Sequence, residues 1–283
     1  MNRRELLTGI GAAAAAMAPA AAQAQSKGTR YCRFKKGNLV AHGIVEGDTV
    51  KQLSGDLFAN PKETGAKHKL SEVKLLYPVA APTKILALAG NYRSHLGKAA
   101  PRPNPEPFYK PPSCLQNPED PIVIPPGAKD VHYECELVIV VGKTARRVSV
   151  EQAKDYIFGV TCGNDVSERI WQNDKEIKDV QWWRAKGADT FGPVGPVISR
   201  GIDYGNLHIV TRLNGKVMQD ENTSHLVHNC EKIVSFISQA VTLFPGDLIF
   251  TGTGGKTSPM KPGDTVEIEI EGVGILRNKV VAG

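Results

Sequence analysis

The chain has 283 residues, 41% hydrophobic and 23% charged, with a formal charge of +6. That length allows one large domain or a small one beside a larger one, and the positive excess is spread out, never gathered into a basic stripe interleaved with aromatics. Such a balance argues against a nucleic-acid partner and suits a small anionic substrate, while five scattered cysteines, none paired as CxxC, argue against a disulfide framework or a zinc site and read as buried structural residues.

Residues 1–24 have the layout of a secretory signal: a charged start, an apolar stretch from Leu6 to about Ala18, and a small-x-small ending at Ala22-Gln23-Ala24. The apolar part is too short to span a bilayer, and no later segment is long or apolar enough to do so. Arg3-Arg4 followed by Leu6-Leu7 is close to the twin-arginine pattern, with an ordinary Sec signal as the alternative. The expectation is export to the periplasm, folded and metal-loaded if by the twin-arginine route. Cleavage would remove two arginines and one glutamate and leave +5.

Residues 25–78 read as a small β domain, with YCRF and LVAHGIVEGDTVKQL as short strands about Gly37-Asn38 and Gly47-Asp48 turns, then polar, loop-like sequence up to Tyr77. The second domain, 79–283, opens with the strand KILALAG from Lys84. A brief helix at GNYRSHLG follows, then prolines at 101, 103, 105 and 107 that cannot continue it. Ser149 and Gln152 predict a capping box for a helix through about Ile157. FGVTCGND is a strand ending at Asp165, VSERIWQND a helical stretch, and KGADTFGPVGP a Gly/Pro loop. Asn214-Gly215 predicts a type I′ hairpin between HIVTRL and KVMQ. Asn229 caps an amphipathic helix with Ile233, Phe236, Ile237, Ala240 and Val241 on one side; LIFTGTGG is a strand, and DTVEIEIEGVGILRNKVV alternates to the end. The sum is mainly β with a few helices.

One stretch, VHYECELVIVVG at 131–142, carries an anomaly. Glu134, Glu136, Val138 and Val140 share one face of a strand that is apolar on both faces. In the C-terminal run, by contrast, Glu267, Glu269 and Glu271 alternate with Val266, Ile268 and Ile270, which describes acids in water on a half-buried strand. Two carboxylates at the rim of a core repel each other and lose hydration, so each needs a basic partner or both need a shared cation. A shared cation would be a hard one (Mg²⁺, Mn²⁺ or Ca²⁺), with Asp165, at the end of an apolar strand beside the next helical stretch, as the best local choice of further oxygen donor.

YECELVIVVG, GNDVSER, WRAKGADTFGPVGP, LIFTGTG and KPGDTVEIEIEGVGILRN, together with GNYRSHLG, resemble in order the fumarylacetoacetate hydrolase family from about 84 to 281. The resemblance implies a mixed β-sandwich roll, a homodimer, and one divalent ion, Mg²⁺ or Mn²⁺, held by Glu134, Glu136 and Asp165. It implies Lys186 and His95 as catalytic residues, and Arg169, Gln172, Thr253 and Tyr92 as substrate contacts. The implied activity is metal-dependent hydrolysis of a carbon–carbon bond in acylpyruvate-like 2-oxo acids. Two departures leave other outcomes open. The family's glutamate partner of the histidine is Lys98 here, which predicts a less firmly oriented His95 of lower basicity. The family's TGTP reads TGTGG. Decarboxylation of oxaloacetate-like acids, keto–enol isomerisation, and an inactive exported dicarboxylate binder are the alternatives.

Overall fold

A strand that is apolar on both faces must lie between two layers, and Cys135–Val141 does. The structure, a computed structural model, describes residues 28–283; the signal reading of residues 1–24 lies outside them. In chain order the strands are β1 Thr29–Lys36, β2 Leu39–Glu46, β3 Thr49–Ser54, β4 Lys62–Lys69, β5 Lys74–Leu76, β6 Ile85–Leu88, β7 Pro107–Lys110, β8 Leu115–Gln116, β9 Ile122–Ile124, β10 Val131–His132, β11 Cys135–Val141, β12 Ile157–Asn164, β13 Ser167–Glu168, β14 Gly192–Arg200, β15 His208–Leu213, β16 Lys216–Asn222, β17 Leu248–Thr253, β18 Thr265–Ile270 and β19 Gly274–Ala282. Among the described residues four α-helices interrupt them: α1 Arg93–Leu96, α2 Val150–Ala153, α3 Arg169–Asn173 and α4 Cys230–Ala240. The protein is mainly β with a few short helices, as the residue pattern predicts, and no helix among the described residues is long and apolar enough to cross a membrane.

The large sheet runs β4-β3-β2-β1-β14-β12-β11-β17-β6-β7, and a second sheet runs β16-β15-β18-β19-β9. Alternation along β11 serves two cores. Cys135, Leu137, Ile139 and Val141 pack with Ile209, Val266, Ile268 and Leu276 of the second sheet and with Ile233 and Ile237 of α4. Val138 and Val140 pack on the other face with Phe250, Val194 and Ile198. All five cysteines are free and buried among these residues.

Several local expectations need correction. Residues 62–69 form β4, paired with β3, although KETGAKHK is exposed along nearly its whole length. It is an edge strand whose pairing rests on the backbone, and its lysines discourage a further strand from adding, so no hydrophobic alternation announces it. The N-terminal strands lie in the large sheet, where β1 pairs with β14, which leaves the expected division near residue 78 untouched. Ser149 stands at the N-cap of α2 without a side-chain cap bond, although the four-residue α2 runs on as a 3-10 turn, Lys154–Tyr156, to the expected end near Ile157. The helix expected across VSERIWQND begins only at Arg169, where Glu168 caps it. The C-terminal run is a hairpin, β18 and β19, and Ala240 on α4 is exposed. By contrast, Asn229 Oδ1 accepts from Lys232 N at 2.9 Å, and Asn214 and Gly215 both have positive φ, as the cap and the type I′ turn require.

Gly163 shows how tightly the central strands meet. A Cβ there would lie 2.4 Å from Val138 Cγ2 and 2.5 Å from Phe250 Cε1, and Gly163 pairs with Glu136 across the ladder. Gly163→Ala is therefore expected to cost about 1–3 kcal/mol of stability in urea unfolding. A variant as stable as the parent would show that this contact relaxes freely.

Candidate active site

β11 and β12 are antiparallel, with Cys135 opposite Asn164, so the start of one strand and the end of the other meet at one end of the sheet. The backbone closes that end: Glu134 N donates to Asn164 Oδ1 at 2.9 Å, and Asp165 N donates to the Glu134 carbonyl at 3.0 Å. Glu134, Glu136 and Asp165 thus converge, each offering a carboxylate oxygen within 4.8 Å of the others, and all three are buried.

Three cations face these three anions. Lys186 Nζ lies 2.6 Å from Glu134 Oε2 and 2.8 Å from Asp165 Oδ2. Arg169 Nη2 lies 2.5 Å from Glu134 Oε1, and Lys110 Nζ lies 2.6 Å from Asp165 Oδ1. Burial alone would raise the Glu134 carboxyl, but Lys186 and Arg169 hold it well below the usual carboxylate range. Glu136 goes the other way, pushed well up by burial and by the neighbouring Asp165 and Glu134, against weaker help from Lys186 and the Gly252 N–H. Burial opposes the charge of Lys186, but Asp165 and Glu134 more than offset it and the ammonium persists.

A divalent ion fits this donor set. Glu136 Oε2 accepts from Gly252 N at 2.6 Å, while its Oε1 is buried without a hydrogen-bond partner among the described residues. An unpartnered buried carboxylate oxygen beside two further carboxylates is the environment a hard cation requires. The three residues therefore form a group able to bind a metal.

The other predicted residues gather around this centre to different degrees. Arg169 opens α3; its Nη1 donates to Gln172 Oε1 at 2.7 Å and its Nη2 also reaches Thr257 Oγ1 at 2.9 Å, so Arg169 and Gln172 form one hydrogen-bonded unit against Glu134. Thr253 ends β17 opposite Glu136, and its Oγ1 accepts from Gln219 Nε2 at 2.9 Å. Tyr92 is buried, which raises its phenol, with Cys135 and Glu136 beside it adding to the effect, and its hydroxyl has no partner among the described residues. His95 lies on α1 with its Nδ1 2.8 Å from the Gly255 carbonyl oxygen, which supplies an orienting partner where Lys98 replaces glutamate. The expectation of a loosely held ring is thereby corrected.

Four participants escape the motif reading. Lys110 is fully buried and also donates to the carbonyls of Lys186 and, at 3.2 Å, Phe191, so it ties Asp165 to the loop that carries Lys186. Its only sequence signal is a lysine at the end of the apolar FYK run. Gln219 serves Thr253 and, at 2.5 Å, the Gly254 carbonyl. Buried Glu168 caps α3 and accepts from the backbone N–H groups of Lys129 and Asp130 at 3.0 and 2.9 Å, which fixes where Arg169 starts. Phe108 covers Lys186, with its ring centre 5.5 Å from Nζ.

Comparison with known proteins bears directly on this arrangement. Residues 84–281 match the family described as fumarylacetoacetate (FAA) hydrolase C-terminal, and residues 29–78 match one described as Rv2993c-like, N-terminal. The crystal structure of 5-carboxymethyl-2-hydroxymuconate delta-isomerase from Mycobacterium smegmatis is 40% identical and superposes with a TM-score of 0.84, covering 90% of this chain and 100% of that one. The mitochondrial oxaloacetate tautomerase FAHD2A of Bos taurus is 39% identical over 223 residues, 75% of this chain and 70% of the bovine protein. Maleylpyruvate hydrolase from Sphingobium sp. SYK-6, solved with manganese(II) and pyruvate, is 31% identical with a TM-score of 0.74, covering 90% of this chain and 99% of that one. With the match running through most of the chain and through every element that builds the carboxylate centre, the protein belongs to the fumarylacetoacetate hydrolase family.

Proposed function

We propose that the protein is a divalent-metal-dependent enzyme that interconverts the keto and enol forms of a short 2-oxo acid resembling oxaloacetate. The observation that carries this reading is the buried carboxylate trio with Lys186 bonded to two of its members. Mg²⁺ or Mn²⁺ held by Glu134, Glu136 and Asp165 would supply Lewis acidity towards the keto and carboxylate oxygens of the acid. Lys186, kept charged, stabilises negative charge on the enolate oxygen. The Gly255 carbonyl can only accept, so the bond to His95 places the proton on Nδ1 and leaves Nε2 free to take a proton from the carbon beside the keto group. Gln219 donates to Thr253 Oγ1, which leaves the threonine hydrogen for a substrate carboxylate. Arg169 and Gln172 hold Glu134 in place and border the substrate on that side, and Tyr92 offers its unpartnered hydroxyl beside Glu136. Similarity to an oxaloacetate tautomerase and to a delta-isomerase, at 39% and 40% identity, supports the choice.

Hydrolysis of acylpyruvate-like acids is the second reading. It needs the same enolate chemistry plus a water activated by His95 Nε2, a role the oriented ring suits. The resemblance to a maleylpyruvate hydrolase supports it. We also propose a homodimer, on the family resemblance, and export through the signal at 1–24.

With Mg²⁺ present, loss of the enol absorbance of oxaloacetate is expected to accelerate, and chelation with EDTA to abolish the effect. Lys186→Met should lower kcat by about 10²–10³. Cleavage of acylpyruvates without any effect on oxaloacetate would replace tautomerisation with hydrolysis. Glu136→Gln should weaken Mn²⁺ binding, read by electron paramagnetic resonance, by at least about 100-fold, and unchanged affinity would reject the metal centre. In cell fractionation, Arg3→Lys with Arg4→Lys should retain the precursor inside the cell; normal processing of that double variant would point to Sec export.

A further inference from the structure

His95 and Ser94 are consecutive residues of a four-residue helix, and they grip opposite sides of one loop residue. The His95 ring meets the Gly255 carbonyl oxygen at 2.8 Å, and the Gly255 N–H donates to Ser94 Oγ at 3.0 Å. Ser94 Oγ in turn lies 2.5 Å from Glu221 Oε1 on β16. The other carboxylate oxygen of Glu221 lies 2.7 Å from His225 Nδ1 and accepts from Asn222 N at 3.2 Å.

The chemistry of the two ends settles the direction of every bond. A carboxylate only accepts, so Ser94 must donate its hydroxyl hydrogen to Glu221 and keep its lone pairs for the Gly255 N–H. A carbonyl likewise only accepts, so His95 must donate from Nδ1. Glu221 is held ionised: burial acts to raise it, but its bonds from Ser94, His225 and Asn222 bring it below the usual carboxylate range.

The loop is shaped for this arrangement by two glycines with different reasons. A Cβ on Gly254 would sit 2.4 Å from Glu221 Cγ, so a side chain there would drive the carboxylate away. Gly255 has φ +67°, a backbone that other residues adopt at a cost, and it is this turn that presents its carbonyl to the imidazole. Just past the end of the histidine's helix, the residue three positions on is Lys98, an exposed cation that cannot accept from an imidazole N–H.

We propose that Glu221, Ser94 and Gly255 form a positioning relay that fixes the orientation and tautomer of His95, so that Nε2 faces the carboxylate centre as a free proton acceptor. The relay rests on the base role given to His95 above. Its members touch the histidine or one another rather than the reacting atoms, so they act as positioning residues. The carboxylate that sets the polarity arrives from a different strand, through a hydroxyl and a loop backbone. The two substitutions that set this sequence apart, Lys98 and the TGTGG loop, thereby belong to one solution.

The test uses the metal-loaded mature protein with Mg²⁺ and ¹⁵N-labelled histidine. Long-range ¹H–¹⁵N correlation spectra read the tautomer of each ring, and His95→Asn identifies the His95 signals by their loss. The parent protein is expected to show His95 with Nδ1 protonated. Ser94→Ala should move those signals towards the mixed tautomers of a free imidazole and lower kcat roughly tenfold, with KM changed by less than about twofold. Glu221→Gln, which keeps the shape but removes the charge that sets the bond direction, should shift both readouts the same way by less. Finding Nε2 protonated in the parent would overturn the relay without recourse to any variant. So would an unchanged tautomer and kcat in Ser94→Ala. Full turnover by His95→Asn would remove the base role alone, because the tautomer is read independently of activity.

Discussion

Three carboxylates buried within 4.8 Å of one another are the constraint around which the rest of this protein is arranged. Left alone, such a cluster repels itself and forfeits hydration, a penalty of several kcal/mol per ion in a folded interior. The chain meets it with an equal number of cations, Lys110, Arg169 and Lys186, each bonded to a member of the trio. The compensation is uneven. Glu134 has two cationic partners and stays ionised, whereas Glu136 among the described residues accepts a hydrogen bond only from the Gly252 N–H and is driven towards its neutral form. Glu136 is thus the carboxylate that most needs a further positive charge, and its unpartnered oxygen points to where an ion would be accepted.

The division of labour between sheet and loops follows from that electrostatics. The anions come from adjacent ends of β11 and β12, at the centre of the large sheet, where register and a glycine without room for a side chain fix their separation. The cations come from elsewhere: the end of β7, the start of α3, and the loop before β14. Strands hold like charges together only because they are pinned on both faces by packing. Long flexible side chains then reach in from the surrounding segments to neutralise them. Lys110 joins the two sets, because it bonds both Asp165 and the backbone of Lys186.

His95 illustrates how an imidazole can be held where a motif residue is missing. What an imidazole base requires is an acceptor on one nitrogen and open space at the other. A backbone carbonyl meets the first requirement as well as a glutamate does, provided the loop that bears it is held still. Here the loop is clamped by the residue next to the histidine itself.

Much of this was legible in the linear sequence wherever a short-range rule governs the outcome. The type I′ turn at Asn214-Gly215, the cap at Asn229, the doubly apolar β11 and the misplaced pair Glu134 and Glu136 all follow from periodicity and local backbone preference. What stayed hidden depends on partners far along the chain. β4 is a strand only because β3 offers it a ladder, and its exposed side chains carry no alternating signal. Lys110 looks like any lysine at a strand end until the fold brings Asp165, 55 positions away, against its ammonium. Glu221 sits 127 positions from Ser94, and no spacing in the sequence links them. The sequence by itself determined which residues could not be left in water or in a core without help; the tertiary structure decided which distant groups supply that help, because the field at a buried charge is set by neighbours in space and not by neighbours in the chain.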